Sequence, residues 1–393
     1  MTRRSLLMAG AGFPLAAARR PRYGGTLRIG VSADALASIE SLVFETLVRF
    51  DDKGRPQPWL ASGWQVDARH LVFRARRGVV FQDGSRWEPP GGVIAVPASR
   101  QPLDAMLREY ARPQNAIAVK AGDGSRVGTG PFRVESLDAS RRALLLAHED
   151  HWAGRPFLDA IDWTLGRQWR EQSLDFETGK HDAIETPATE AKRAAQRGWP
   201  MAASLPADTY LLAVDKDDKD DRLARALAAA IDRGSIHTVL LQRQGEVSAA
   251  LLPQWLSGYS FVFPAGRGKA VAGFAAQPAF GYDGQDPVAR LVADRIAVNA
   301  REAGIVFKSA APNAAADVRL VRRRVTETDP LLALGREGGT PFETERDMMR
   351  ANRLIPLFHL PVQYAVAKRV QGWLGAPWMR FGKLRLEDVW LDG

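Results

Sequence analysis

The stretch from Val127 to Ser136, VGTGPFRVES, constrains this chain more than any other. Gly128 and Gly130 free the backbone, while Pro131 fixes its own φ and pushes the residue before it toward an extended conformation. The sequence therefore predicts a stiff turn that launches a strand. Phe132 and Val134 share one face of it and Arg133 and Glu135 the other, the period-two pattern of a half-buried strand. A second apolar run, Ala143 to Ala147, follows the turn from Asp138 to Arg142, so the two segments read as a hairpin.

The same logic runs along the rest of the chain. Leu27, Ile29 and Val31 alternate with Arg28 and Gly30, which predicts a strand with Ser32 to Asp34 as the loop at its C-terminal end, where open α/β sheets hold ligands. Ile39, Leu42, Val43 and Leu47 fall at helical spacing over Ile39 to Val48. Asp51 to Gly54 supplies a turn, Trp59 and Trp64 read as core aromatics, and Leu71, Phe73 and Ala75 give another strand that Gly78 ends. RWEPPGGVIAVPASRQPL breaks helices through its Pro and Gly, leaving only Asp104 to Ala111 helical before the glycine turn.

Beyond the hairpin, Ala160 to Leu165 reads as a strand. Leu223, Leu227 and Ile231 form a helical stripe with Gly234 at its C-cap. Phe280 to Tyr282, then Asp286 as N-cap and Pro287 as first helical residue, open a βαβ unit. Val288, Leu291, Val292 and Ile296 are its buried stripe, Gly304 its stop, and Ile305 to Lys308 its second strand. Asp317 to Val321 adds a strand, and this order predicts a parallel sheet with covering helices.

Segments around the glycine turn carry a family likeness. LVFRARRGVVFQDGS precedes it, HEDHWAGRPFLDAIDW follows it, and RLIPLFHLPVQYAVAKRVQGW lies near the end. In that order they resemble the extracytoplasmic solute-binding proteins of ABC importers, the peptide, dipeptide and nickel-binding family 5. The resemblance implies a two-lobed α/β fold with mixed sheets and flanking helices, and a ligand cleft between lobes joined by two crossings. Residues 1–18 would be a signal peptide, 20–207 the first lobe, 208–350 the second, and 351–393 the return to the first. The accessory subdomain, fuller in other members, is reduced around 80–125. The implied partners are a small solute and a membrane permease with its ATPase, with membrane contact only through the permease. No enzymatic activity and no cofactor are implied. The expected hinges lie near Tyr210 and from Leu354 to Phe358.

Composition narrows the alternatives. The 393 residues, 46% hydrophobic, suffice for more than one core. A formal charge of +9 invites a nucleic-acid reading, yet the basic residues are scattered and the longest run is Arg322 to Arg324, so none is expected. With no Cys, disulfides, thiolate metal sites and a lipoprotein anchor are excluded. Arg3 and Arg4 ahead of a short apolar stretch ending at Ala16, Ala17 and Ala18 resemble a twin-arginine or general secretory signal. Periplasmic or other extracytoplasmic residence follows from it.

Catalytic motifs are missing. Gly122, Gly124 and Gly128 are misspaced for a dinucleotide fingerprint, and neither a phosphate loop nor a nucleophile elbow occurs. The acidic loop from Asp215 to Asp221 lacks the Gly and distal Glu of a calcium loop and reads as a solvated turn. His148 and His151 are spaced by three rather than the four of a zinc-protease helix; a metal-dependent hydrolase built on them is a weaker alternative. A degenerate solute-binding fold acting as an interaction protein is another. His359 reads as a satisfied hinge or core residue.

The candidate ligand-binding residues come from strand ends and crossings: Ser32, Asp34, Tyr210, Trp255, Tyr259, Arg323 and Thr326. LLPQWLSGY, which holds Trp255 and Tyr259, resembles a family loop near the cleft. In peptide-binding members an Asp shortly before an Asp-Pro pair holds the peptide ammonium. A gapless match to Asp329-Pro330 puts Thr326 there, beside Arg322, Arg323 and Arg324, so a peptide-like but N-blocked, or anionic, solute is expected.

Overall fold

The computed structural model describes residues 20–31, 36–51, 53–99, 101–215, 221–266, 268, 275–310, 315–336, 338–373, 384 and 386–393. The signal segment 1–18, Ser32, Asp34 and most of the acidic loop lie outside the described residues.

One mixed sheet of eleven strands runs through the molecule. At one end Ala279–Tyr282 lies parallel to both Lys308–Ser309 and Val318–Arg324. Next come two long antiparallel strands, Met201–Val214 and Leu354–Val366. At the other end Thr26–Gly30 is parallel to Ala183–Glu185 and Ala160–Thr164, and the hairpin Phe132–Asp138 and Arg142–Ala147 forms the edge. The strands of the expected βαβ unit are thus parallel to one another, and the long strands beside them enter antiparallel, which makes the whole sheet mixed.

Two large apolar clusters give the lobes. Leu27, Ile29, Phe132, Leu145, Trp163 and Tyr364 belong to one, and Leu212, Leu227, Val292, Ile296, Val318 and Leu357 to the other. A third cluster packs Leu71, Phe73, Val79 and Leu107, with Trp59 and Trp64 partly buried against it. It lies under the three-stranded sheet Ala61–Val66, His70–Ala75 and Val93–Pro97. The helix-breaking Pro-Gly segment therefore supplies a strand and not only loop.

The glycine turn owes its residues to close approach. Neither Gly128 nor Gly130 has positive φ. A Cβ on Gly128 would overlap the carbonyl oxygen of Val43, and one on Gly130 that of Leu42. Gly130 N donates to Val43 O at 2.9 Å, and Gln82 Nε2 reaches the same oxygen at 2.9 Å. These donors take up a carbonyl that a helix end leaves orphaned. The helix is accordingly Leu36–Val43, not Ile39 to Val48, and Val48 opens the strand Val48–Phe50 instead.

Other ends move for similar reasons. The helix Arg222–Ala230 stops before Ile231, whose backbone is extended, and Gly234 sits inside a new turn, Arg233–Ser235, that Asp232 caps through Ser235 N. In Pro287–Glu302, Asp286 caps Val288 N and Ala289 N as expected. Leu291, however, is 39% exposed, and Ala289, Ala293 and Ala300 join Val288, Val292 and Ile296 on the buried face. Small side chains there let the helix lie close to the sheet. The strand expected from Ile305 shrinks to Lys308–Ser309, with Ile305 in a lone bridge to Ala276. Val134 is also 39% exposed, because the hairpin closes the sheet's outer edge.

The crossing strands are in irregular register between Ala203 and Pro206, between Pro206 and Asp208, and between Tyr210 and Leu211. Pro206 faces Pro361 there. Neither has an N–H to give the ladder, so the pairing is interrupted where the two prolines meet. Two of these register shifts flank Pro206 and Pro361, and the third falls at Tyr210 and Leu211 opposite Phe358 and Pro356, within the segments expected from sequence as hinges.

Candidate ligand site at the lobe crossing

Where the crossing strands pass between lobes, charged side chains converge. Val318–Arg324 lies beside Met201–Val214 in a register that sets Asp208 opposite Arg324, Thr209 opposite Arg323 and Tyr210 opposite Arg322. Strand alternation then sends Arg322 and Arg324 to one face and Arg323 to the other.

On the first face, Arg322 Nε donates to Asp208 Oδ2 at 2.9 Å and Arg324 Nε to Asp208 Oδ1 at 2.8 Å. Nη2 of each arginine donates to Glu185 Oε1 at 2.7 Å. Glu185 comes from the short strand Ala183–Glu185 on the far side of Leu354–Val366, so the cluster reaches across both long strands. Tyr210 Oη donates to Asp286 Oδ2 at 2.7 Å, and Arg322 Nη1 stands 4.0 Å from the same oxygen.

Burial would raise the carboxyl pKa values, but the two guanidiniums outweigh it, holding Glu185 below its ordinary value and Asp208 at about 2. Burial pushes Tyr210 well above the usual phenol range. Both acids are ionised at neutral pH and Tyr210 keeps its proton to donate. Tyr210, Glu185, Asp286, Arg322, Leu360 and Gln363 are among the residues that line a small cavity here.

The other face of the strand makes a second, apolar site. Arg323 Nη2 donates to the Ala333 carbonyl, and Trp255 Nε1 to Pro206 O at 2.7 Å. Tyr259 packs edge-on to Phe342 with ring centres 5.4 Å apart. Glu345, wholly buried, accepts from Leu251 N and Leu252 N. Burial raises its pKa. Trp255 packs with Leu251, Leu252, Val325 and Leu334.

Of the sequence candidates, only Tyr210 lies in the charged cluster. Tyr259 and Arg323 lie near Glu345, Trp255 packs in the apolar cluster beside them, Thr326 follows the strand as half-buried loop, and Ser32 and Asp34 are outside the described residues. Glu185, Asp208, Arg322 and Arg324 were missed as a set. Period-two alternation through Arg322-Arg-Arg324 opposite Asp208-Thr-Tyr210 was the available signal.

The histidine pair is engaged with protein. His148 Nδ1 lies 3.0 Å from Gly130 O, His151 Nε2 3.3 Å from Glu45 Oε1, and Glu45 Oε2 accepts from Thr129 Oγ1 at 2.8 Å and Trp152 Nε1 at 3.0 Å. Burial lowers the His148 pKa. Among the described residues no three His, Cys, Asp or Glu side chains are grouped to hold a metal ion. His359 is wholly buried, as expected, with Nδ1 2.8 Å from Thr209 Oγ1, but its Nε2 lacks a partner and the residue is only half satisfied.

Comparison with known proteins agrees with this architecture. The oligopeptide-binding protein AppA of Bacillus subtilis (strain 168) is 27% identical over 126 residues, 31% of this chain and 23% of that protein, so the match spans about a quarter of the curated relative. The structure of AppA from Bacillus subtilis with a nonapeptide has TM-score 0.76 at 16% identity, covering 95% of this chain and 100% of that chain. MoaA from A. tumefacien R10 with mannopinic acid gives 0.76 at 16%, covering 94% and 99%. DppA from Helicobacter pylori with the peptide STSA gives 0.76 at 14%, covering 95% and 99%. These structural likenesses establish a two-lobed periplasmic-binding-protein fold. The description "Bacterial extracellular solute-binding proteins, family 5 Middle" matches residues 92–320, more than half of the chain. The chain therefore belongs to the bacterial extracellular solute-binding proteins of family 5, a family of ABC-transporter binding proteins and not of enzymes.

Proposed function

We propose that this protein captures a small peptide-like or anionic solute between its lobes and delivers it to a membrane permease driven by an ABC ATPase. The observation that carries the reading is the crossing itself, where Glu185 meets Arg322 and Arg324 from the opposite side of the two long strands. AppA, MoaA and DppA, with nonapeptide, mannopinic acid and STSA in their structures, support a solute of that size range. The lobes run over 20–207 with 351–393, and over 208–350, the accessory part around 80–125 being reduced.

The sequence argument for solute choice changes in one respect. Arg322 and Arg324, expected to repel an ammonium, are matched by Asp208 and Glu185. What remains is that Thr326 offers no carboxylate where peptide-binding members have one.

A thermal-shift screen of peptides, sugars, opines and nickel complexes tests capture. A ligand at a hundred times its Kd stabilises the native state by about 2.7 kcal/mol, and small-angle scattering should then show a more compact particle. If no solute in the panel raises the melting temperature or compacts the particle, the protein is a degenerate fold without capture.

Export belongs to the same reading. We infer a twin-arginine or general secretory signal from Arg3, Arg4 and the apolar stretch after them, and the arginine pair separates the two routes. Changing both to Lys should strand the precursor in the cytoplasm, and normal export of that variant would leave only a general secretory route.

A further inference from the structure

An open groove runs between the helix Ala188–Gln196 and the turn at 238–243. Every residue that lines it is polar or charged. Lys192 and Arg193 stand on the helix wall and Arg243 on the other, three cations against the one acid, Glu190. That acid is already engaged, with Oε2 3.4 Å from Arg193 Nη1. Neither Lys192 nor Arg243 meets a carboxylate among the described residues. Hydroxyls of Thr189 and Thr238 and amides of Gln196 and Gln242 complete the lining, so hydrogen-bond donors dominate it.

The turn wall is held in an unfavourable shape. Gln242 and Arg243 have φ of 51° and 63°, two successive residues with side chains in the left-handed region. Such backbone persists only where its surroundings enforce it, and it gathers at ligand clamps. Here Arg243 N donates to His237 O at 3.0 Å and Gln244 N to Leu241 O at 2.9 Å, which closes the turn. Gln244 Nε2 donates to Ala188 O at 2.7 Å and pins the turn to the first residue of the helix. The two walls are therefore set relative to each other before anything enters.

Exposure, length and charge select the occupant. Lys192, Arg193 and Arg243 are exposed, and an exposed ion pair contributes little by itself. A solute with one carboxylate would not be retained, whereas several carboxylates on one chain share a single cost of association. From Thr189 to Gln196 the helix rises about 10 Å, which three residues of extended chain span at about 3.3 Å each. Side chains alternate along such a chain. Acids on three successive residues would thus send two carboxylates to the wall of Lys192 and Arg193 and one to the wall of Arg243. A flat lipid surface cannot follow a groove between two walls.

We propose that this groove docks an extended acidic segment of a partner protein, with carboxylates on three successive residues. The inference goes beyond the importer reading and stands apart from the lobe crossing.

Fluorescence anisotropy on the full chain at low salt tests it, with rhodamine-labelled Gly-Glu-Glu-Glu-Gly and Gly-Gln-Gln-Gln-Gly as probes. The Glu probe should bind at least about tenfold more tightly than the Gln probe, and added salt should weaken it. Lys192→Glu with Arg243→Glu should remove that advantage. Lys120→Glu with Lys308→Glu, an equal change of charge at exposed positions outside the groove, should alter binding less than about twofold. If the Arg243 variant does not fold, Lys192→Glu with Arg193→Glu reads the helix wall instead. No preference for the Glu probe, or an equal loss in the control pair, would show attraction to net charge alone and overturn the groove. Binding of phosphatidylglycerol vesicles through Lys192 and Arg243, with none of the Glu probe, would overturn it in favour of a lipid surface.

Discussion

His359 shows how one side chain sets a response to acid. Burial holds its pKa at about 3, against about 6.5 in an unfolded chain. Below 6.5 the unfolded state takes up a proton that the native state refuses. Its contribution is therefore complete above pH 6.5 and is lost as the pH falls toward 3. Asp208, held at about 2 by Arg322 and Arg324 against the opposing effect of burial, works in the same direction: its contribution is complete above about 4 and is lost below that. Between pH 6.5 and 4 the imidazole alone should cost about 3 kcal/mol. His359→Met should flatten the fall in denaturant-unfolding stability across that window while leaving the steep loss below pH 4. An unchanged slope in the variant would show that His359 is not the titrating group. The sequence marked His359 as core from its apolar neighbours, yet nothing in one strand's residues reveals that Nε2 meets no partner. Similarly, Arg323 was singled out over Arg322 and Arg324 because its pairing strand was not considered. Once Met201–Val214 is laid beside it, alternation alone sorts the three.

Among elements, those whose ends are set locally were legible. The hairpin, the strand Ala160–Thr164 and the helix Pro287–Glu302 with its Asp286 cap follow from pattern and turn chemistry. Ends set by distant residues were not. Leu47 and Val48 continue the apolar spacing of Leu36–Val43, but the Val43 carbonyl is taken by Gly130 and Gln82, and the helix stops there. Of the two crossing strands, sequence alone singles out only the segments near Tyr210 and from Leu354 to Phe358. In the structure Pro206 faces Pro361 where the pairing is interrupted, and pairing resumes on either side.

For the molecule as a whole, one ion pair joins segments that the proposed importer reading assigns to different lobes. Arg108 Nε, at the end of the helix Leu103–Glu109, donates to Asp329 Oδ2 at 2.6 Å across 221 residues of sequence. Asp329 Oδ1 meanwhile caps the helix Pro330–Ala333 through Leu331 N at 2.9 Å and Leu332 N at 3.0 Å. A hydrogen bond between charged groups is worth about 1.5–3 kcal/mol, which is roughly ten- to a hundredfold in a closed-to-open ratio. We predict that Asp329→Asn, which keeps the cap and removes the charge, shifts the unliganded protein toward open forms, as Arg108→Gln does. Paired spin labels on the two lobes would report it as longer distances. Distributions identical to wild type in both variants would sink the idea. Family membership and the two-lobed plan were readable in the sequence. This ion pair was not, because neither residue carries a signal of its partner.

The distribution of the apolar clusters also fixes an order in time. The third cluster draws on residues from Leu47 to Trp152 and the second on residues from Ala188 to Leu360. The first takes Leu27 and Ile29 from early in the chain and Trp373, Leu384, Leu386 and Leu391 from late in it. A chain made from its N-terminus, folding unit by unit as it emerges, completes the accessory part, then the second lobe. The strand Thr26–Gly30, among the earliest segments made, has its apolar face fully covered only when Leu391 arrives.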